Sequence, residues 1–244
     1  MFDTKRTIRN VYAPTRIYHH GFLQRKYATS WIDAQIEKFV FSGQRVLDYG
    51  CGTSRQKIKV ESLLGTYSGI DVKETTFGAI FDGKRVPFDS GSFDVVLLNE
   101  VLYAIPDSRI AISECHRVLR TGGKLLVSAN FIYPLNRETG QSQVGFNSDY
   151  YRFTQAGLRE LLIPYFEVNS LDQLGGLGSI LLLPQYFYRN HLMRHRSKLV
   201  KAIAFGLIPV FLLACLASNL VGLLLNKLDS SGLYASDVVA VATK

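Results

Sequence analysis

Arg45-Val46-Leu47-Asp48-Tyr49-Gly50-Cys51-Gly52-Thr53-Ser54 decides the fold. A short aliphatic run ends in a carboxylate and meets two glycines one residue apart, just ahead of a segment that can start a helix. The pattern predicts a strand feeding a tight turn. Glycine suits such a turn because it adopts backbone angles that a Cβ opposes and lets a ligand approach the main chain. The bare N–H groups of the following helix start favour an electron-rich ligand edge.

Neighbouring residues separate two ligand classes. A dinucleotide fingerprint, G-x-G-x-x-G, needs glycine at position 55, where the chain has Arg55. The spacing Asp48-x-Gly50-x-Gly52 instead resembles the first motif of the class I S-adenosylmethionine (SAM)-dependent methyltransferases. In that family the turn lies against the methionine part of the cofactor, which implies cofactor roles for Asp48, Gly50 and Gly52. A plain structural turn is the competing reading, and the next stretches weigh against it. Tyr67-Ser68-Gly69-Ile70-Asp71-Val72 reads as a second strand ending in an acid, at the separation that brings a carboxylate to ribose hydroxyls, so Asp71 is the ribose candidate. In Asp82-Gly83-Lys84-Arg85-Val86-Pro87-Phe88 an aspartate five residues before a proline is similar to the one that contacts the adenine amino group, which implies that role for Asp82. Ser92 to Leu102 reads as the fourth strand and its exit. Glu114 to Ser128 resembles the helix, Gly-Gly turn and fifth strand of the same family.

The resemblance covers roughly residues 30–172 and the last ten. It implies a Rossmann-like α/β fold with a seven-stranded sheet, the last strand antiparallel, helices on both faces, and SAM as cofactor. The expected third strand is Ala79 to Phe81 and the fourth Phe93 to Leu98; Pro106-Asp107-Ser108 begins a helix ending at Arg120, capped by the aspartate or the serine. Asn99 and Glu100 fall at the carboxyl end of the fourth strand, where ligands of open α/β sheets bind, so one or both face the cofactor or the methyl acceptor.

At 244 residues the chain is long enough for one well-buried α/β domain with additions. Cys51, Cys115 and Cys215 are far apart and match no disulfide or metal spacing. The first thirty residues are studded with Lys, Arg and His and have no apolar centre, which argues against a secretory signal and for a cytoplasmic catalytic part. The net charge of +8 is uneven. Residues 1–60 hold eleven Lys/Arg against four Asp/Glu, residues 61–172 ten against fourteen, and residues 173–228 six against none. A mildly acidic centre is therefore flanked by two basic ends.

Residues 1–28 mix basic and aromatic side chains and read as an arm, either solvated or directed to a nucleic acid or membrane surface. Thr29 to Phe41 has Trp31, Ile32, Ile36, Phe39 and Val40 at helical spacing and reads as an amphipathic helix opening the core, which runs to residue 179. Asp149-Tyr150-Tyr151-Arg152-Phe153-Thr154 resembles an element of the branch associated with bacterial surface-polysaccharide and lipid-linked sugar biosynthesis; Thr154 caps a helix, Gln155 to Ile163. No histidine lies between His116 and His191, so a base for a hydroxyl acceptor has to come from Asp149, Tyr133, Tyr150 or Glu100, or alignment alone drives the transfer.

Ala202 to Leu225 is 24 residues without a charge, preceded by Arg189, Arg194, Arg196, Lys198 and Lys201. Such a run can cross a hydrocarbon core of about 20 residues, and basic residues beside it mark a cytoplasmic flank. Ser236 to Thr243 reads as the final strand, so both ends of the run return to one side. Pro209 and Ser218-Asn219 offer breaks for two shorter helices, a membrane-embedded hairpin or an interfacial pair within an insertion at 180–228, with the last strand in 229–244. A buried cap or a homodimer interface is the alternative. The expectation is methyl transfer from SAM to a lipid-linked or membrane-proximal acceptor, a saccharide hydroxyl, at the cytoplasmic face. An RNA methyltransferase, disfavoured by the uncharged run, and a non-catalytic SAM-binding scaffold are the alternatives.

Overall fold

The computed structural model describes residues 16–19, 21–132, 149–193 and 195–244. The chain divides into two compact units: residues 30–131, 135–173 and 237–244 form the sheet unit, and residues 1–29, 132–134 and 174–236 the other.

In chain order the elements are α1 (Phe22–Phe39), β1 (Arg45–Tyr49), α2 (Gln56–Ser62), β2 (Thr66–Asp71), β3 (Gly78–Ile80), β4 (Phe93–Asn99), α3 (Ser108–Val118), β5 (Leu119–Asn130), α4 (Gln155–Leu162), β6 (Glu167–Leu174), α5 (Leu182–Phe187), α6 (Lys198–Gly206), α7 (Ile208–Leu228) and β7 (Asp237–Thr243). The seven strands form one sheet in the order β3-β2-β1-β4-β5-β7-β6. Strands β1 to β5 pair in parallel, and β7 runs antiparallel to β5. The sheet expected from sequence is therefore present, reversed last strand included.

Its central strands are buried on both faces, so adjacent residues feed different cores. Leu47, Val96, Leu98, Leu125 and Val127 pack with Ile112 and Cys115 of α3 and Leu158 and Leu162 of α4. Their neighbours Val46, Val95, Leu97 and Leu126 pack with Ile32, Ile36 and Val40 at the end of α1 and just beyond it. Helix α3 starts where expected: Asp107 accepts the N–H groups of Arg109 and Ile110, at 3.1 and 3.2 Å. Thr154 caps α4 by accepting Gly157 N–H at 3.1 Å.

Three local expectations need correcting. Helix α1 begins at Phe22, seven residues before the expected start, because Leu23 and Ala28 are buried while Arg25 and Lys26 point outward. Basic residues of the supposed arm are thus one face of an amphipathic helix. Gly122-Gly123 is not a turn ahead of β5; it lies inside the strand, where the register with β4 shifts between Phe93 and Val95 as at a bulge. The apolar run breaks near Pro209, between α6 and α7, but continues unbroken through Ser218-Asn219.

The reason for that continuity lies in the second unit. Asn219 is fully buried, and its Nδ2 donates to the carbonyls of Ile17 and His19, the latter at 2.9 Å, so its amide is used in packing and not in breaking the helix. One turn on, Gly222 lies against the 3₁₀ turn Leu177–Leu181: a Cβ on Gly178 would stand 2.6 Å from the Gly222 Cα. Glycine at 178 is what allows the backbones to approach so closely, while a Cβ on Gly222 would stand 2.5 Å from Leu23 Cδ1. Tyr188 stacks on Phe211 with ring centroids 4.1 Å apart and donates its hydroxyl to the Ala204 carbonyl.

Candidate active site

At the carboxyl ends of β1 and β2 the quoted stretch closes a turn. The N–H groups of Gly50 and Cys51 both donate to the Ile70 carbonyl, at 2.8 and 3.0 Å, and Ser54 N–H returns to the Cys51 carbonyl at 2.7 Å. Gly50 has φ +75°, and a Cβ there would lie 2.4 Å from Val101 Cγ2, so both conformation and space demand glycine. Asp71 ends β2 and braces the same turn: one carboxylate oxygen accepts Gly52 N–H at 3.0 Å, the other Lys73 N–H at 3.1 Å.

A cavity of about 270 Å³ opens over this turn, lined by Gly50, Gly52, Asp71, Phe81, Glu100 and Val101 among others. Glycine backbone, an acid at the end of β2 and an aromatic wall edged by Tyr49 against Phe81, with ring centroids 5.2 Å apart, suit a nucleoside-bearing cofactor. The open backbone at Gly52, where a Cβ would meet nothing within 4 Å, and the carboxylate of Asp71 are the features that fit SAM.

The structure gathers some of the expected residues and separates others. Gly50, Gly52, Asp71 and Glu100 line the cavity. Asp48 lies beneath the turn instead, 2 % exposed, accepting the Tyr67 hydroxyl at 2.7 Å. Asp82 is outside the lining; it is exposed and caps its own loop by accepting Lys84 and Arg85 N–H, which pull its carboxyl below the usual range, while its neighbours Phe81 and Gly83 reach the cavity. Asn99 is turned to β5, accepting the Ser128 hydroxyl at 2.8 Å. Asp149 is paired with Arg152 at 2.9 Å and is not among the lining residues. Tyr133 falls outside the described residues.

Burial pushes the Asp48 carboxyl up to about 7; the Tyr67 hydrogen bond opposes this and the Asp71 charge adds to it. A carboxyl raised from 3.8 when unfolded to about 7 when folded favours the folded state at low pH and loses that contribution as pH rises through 7. Asp48→Asn keeps an acceptor for Tyr67 and removes the titration. Between about pH 4 and 7 its stability in urea is expected to fall by on the order of 2–4 kcal/mol less than the parent's, the slope from Glu100 being common to both. Parallel curves would show that Asp48 is not the titrating group.

Sequence reading missed the wall formed by Val101, Tyr103, Ala104 and Ile105, which follows from the 3₁₀ turn Leu102–Ala104 after β4. It also missed Asp237. This residue opens β7 directly opposite Asn130 of β5, and the Asn130 Nδ2 donates both to Asp237 Oδ1, at 3.1 Å, and to Glu100 Oε2. Glu100 itself stands at φ +54°, a left-handed conformation costly for a side-chain-bearing residue, held there by its N–H donating to the Ser128 carbonyl at 3.1 Å and hydroxyl at 3.0 Å. Burial raises the Glu100 carboxyl well above its ordinary value, and the charge of Asp237 raises it further. The antiparallel register, which no local pattern encodes, creates this pair.

Residues 47–127 match the family described as "Methyltransferase domain". Over 115 residues the chain is 29% identical to the ubiquinone biosynthesis O-methyltransferase of Pseudomonas aeruginosa, covering 41% of this chain and 48% of that protein. Over 119 residues it is 29% identical to the demethylmenaquinone methyltransferase of Staphylococcus epidermidis, covering 42% and 47%. The chain thus spans about half the length of these curated relatives. Among solved structures, a Burkholderia thailandensis 1,6-didemethyltoxoflavin-N1-methyltransferase holding S-adenosylhomocysteine is similar in fold, at TM-score 0.51 and 15% identity over 98% of this chain and 82% of that one. The [4+2]-cyclase SpnF is similar at TM-score 0.53 and 18% identity over 88% and 80%. The matched stretch, the strand order and the glycine turn make residues 47–127 similar to the SAM-dependent methyltransferases.

Proposed function

We propose that the chain methylates a hydroxyl on a lipid-held acceptor, with Glu100 as the base. One observation carries the assignment of the base: a carboxyl at the cavity wall is tied to a second buried carboxyl by both hydrogens of one amide. Bound SAM supplies an electrophilic methyl group to the attacking oxygen. Gly50 and Gly52 present backbone to it, and Asp71 is the acceptor for ribose hydroxyls. Glu100 takes the acceptor's proton on its carboxylate, and Asp237 behind it is a positioning residue. The charge of Asp237 disfavours a second negative charge beside it, so Glu100, once ionised, is a stronger base than an ordinary carboxylate.

The relatives support oxygen as the atom methylated, because the ubiquinone-pathway protein is named an O-methyltransferase. Their quinone pathways also favour a lipophilic acceptor, and a phenol-type hydroxyl on a prenyl chain is one candidate. The string Asp149 to Thr154 favours a second, a saccharide hydroxyl on a lipid carrier. Radiolabelled SAM with a membrane extract separates them: label moves into organic solvent in both cases and stays there after mild acid only for the prenyl phenol. Label confined to RNA or protein overturns the proposal.

Glu100→Gln is expected to lower the transfer rate about a hundredfold or more while leaving S-adenosylhomocysteine binding intact by calorimetry. Asp237→Asn removes the like charge, so Glu100 ionises at lower pH and the acid limb of the rate profile moves to lower pH. Facing Glu100 are Ser128 and Asn130 from β5, Asp237 from β7 and, across the cavity, Asp71. An unmoved acid limb overturns the paired-carboxyl base.

A further inference from the structure

Among the described residues one helix, α7, is long and apolar enough to cross a membrane by length and composition. Its burial pattern argues against crossing. Cys215, Asn219 and Gly222, spaced four and three residues apart, form one buried stripe along the helix. On the opposite side Val210, Leu213, Leu220, Leu224 and Leu228 are 52–69 % exposed. A helix immersed in hydrocarbon needs an apolar surface wherever it meets lipid. Here the middle of one side, from Cys215 to Gly222, is occupied by protein, and polar groups are attached to it. The segment ending at His19 is bound to Asn219, the Leu177–Leu181 turn packs on Gly222, and just past the helix Asp229 accepts Leu177 N–H at 2.7 Å. Standing α7 upright across a bilayer would drag those attached polar groups into hydrocarbon, and lying flat avoids this.

Helix α6 adds the same kind of surface, with Leu199, Ile203 and Phe205 exposed, and carries exposed Lys198 and Lys201 at its start beside exposed Arg196. Exposed Lys227 closes the far end of α7. Residues 173–228 contain no acid at all. Cations at both ends of an apolar stripe complement anionic head groups around a shallow acyl contact.

We infer that the outward stripe of α6 and α7 docks flat in the head-group region of an anionic lipid bilayer, as a one-sided contact and not a span. The inference deepens the proposed function by placing the protein where a lipid-held acceptor would be met, yet it stands on the helix surface alone and is tested without methyl transfer.

The test is sedimentation of the full chain with vesicles of phosphatidylcholine, with and without phosphatidylglycerol. Binding is expected to require the anionic lipid. Lys198→Glu with Lys201→Glu should weaken it about thirtyfold or more, from the contribution each cation makes at a charged surface. Leu220→Gln with Leu224→Gln should also release the protein, while S-adenosylhomocysteine binding by calorimetry reports that the fold is kept. Depth is read by adding Leu213→Trp or Leu228→Trp to Trp31→Phe and quenching with lipids brominated at different carbons. Equal shallow quenching at both ends supports flat docking. Deep quenching at one end and shallow at the other means a span and overturns it. So does a vesicle-independent dimer in sedimentation equilibrium that the two glutamine substitutions dissociate, since the stripe would then face a second copy. A chain that stays folded, binds S-adenosylhomocysteine and ignores both vesicles refutes lipid docking without touching the methyltransferase reading. Absent transfer with intact lipid binding does the reverse.

Discussion

Gly50→Ala is expected to lower the unfolding free energy by about 2–5 kcal/mol and to abolish measurable S-adenosylhomocysteine binding. Two costs combine. A φ of +75° disfavours any Cβ by roughly 1–2 kcal/mol. The new methyl group would stand 2.4 Å from Val101 Cγ2, and relieving that overlap adds about 1–3 kcal/mol. Both displacements occur at the cavity wall, because Gly50 and Val101 both line it. Chemical denaturation measures the first effect and calorimetry the second. A variant as stable as the parent and equally able to bind would mean that the turn rearranges freely, contrary to the paired hydrogen bonds onto Ile70.

Asp71→Ala carries the second large effect, a loss of S-adenosylhomocysteine affinity of about a hundredfold. Hydrogen bonds to a charged acceptor contribute about 1.5–3 kcal/mol each, and the substitution removes those proposed for the ribose. It also removes the acceptor for Gly52 N–H, so the turn loses its brace. Asp71→Asn tells these contributions apart. An amide oxygen still accepts from Gly52, so that brace of the turn is kept while the one to Lys73 N–H is lost, and the remaining loss, about tenfold, is the upper bound on the ribose contact. Unchanged affinity in Asp71→Ala removes the ribose assignment.

How much of this could be read in advance depended on range. The turn at 48–54 was legible because glycine spacing, strand and acid lie within ten residues, and the strand order followed from motifs in sequence. Asp48 lies beneath the turn and outside the cavity lining for a physical reason: its side chain points from the strand toward Tyr67 on β2, and motif position says nothing of which face a strand residue takes. Asp82 shows a related limit, since a short acid can cap its own loop as readily as meet a ligand. Asn219 looked like a helix break because asparagine competes for backbone hydrogen bonds; its partners, some 200 residues away, reverse that role. Asp237 could be found only through the register of β7 on β5.

That register bears on kinetics as well as chemistry. Asn130 and Asp237 are neighbours across strands yet lie 107 residues apart in the chain, with the apolar helices between them. Contacts of such long loop length form late and slowly in folding. Until β7 docks, the parallel strands can assemble and the glycine turn can close, but Glu100 has no second carboxyl behind it. With Glu100 as the proposed base, catalytic competence is withheld from partly folded chains, and the appearance of activity during refolding should trail the appearance of cofactor binding.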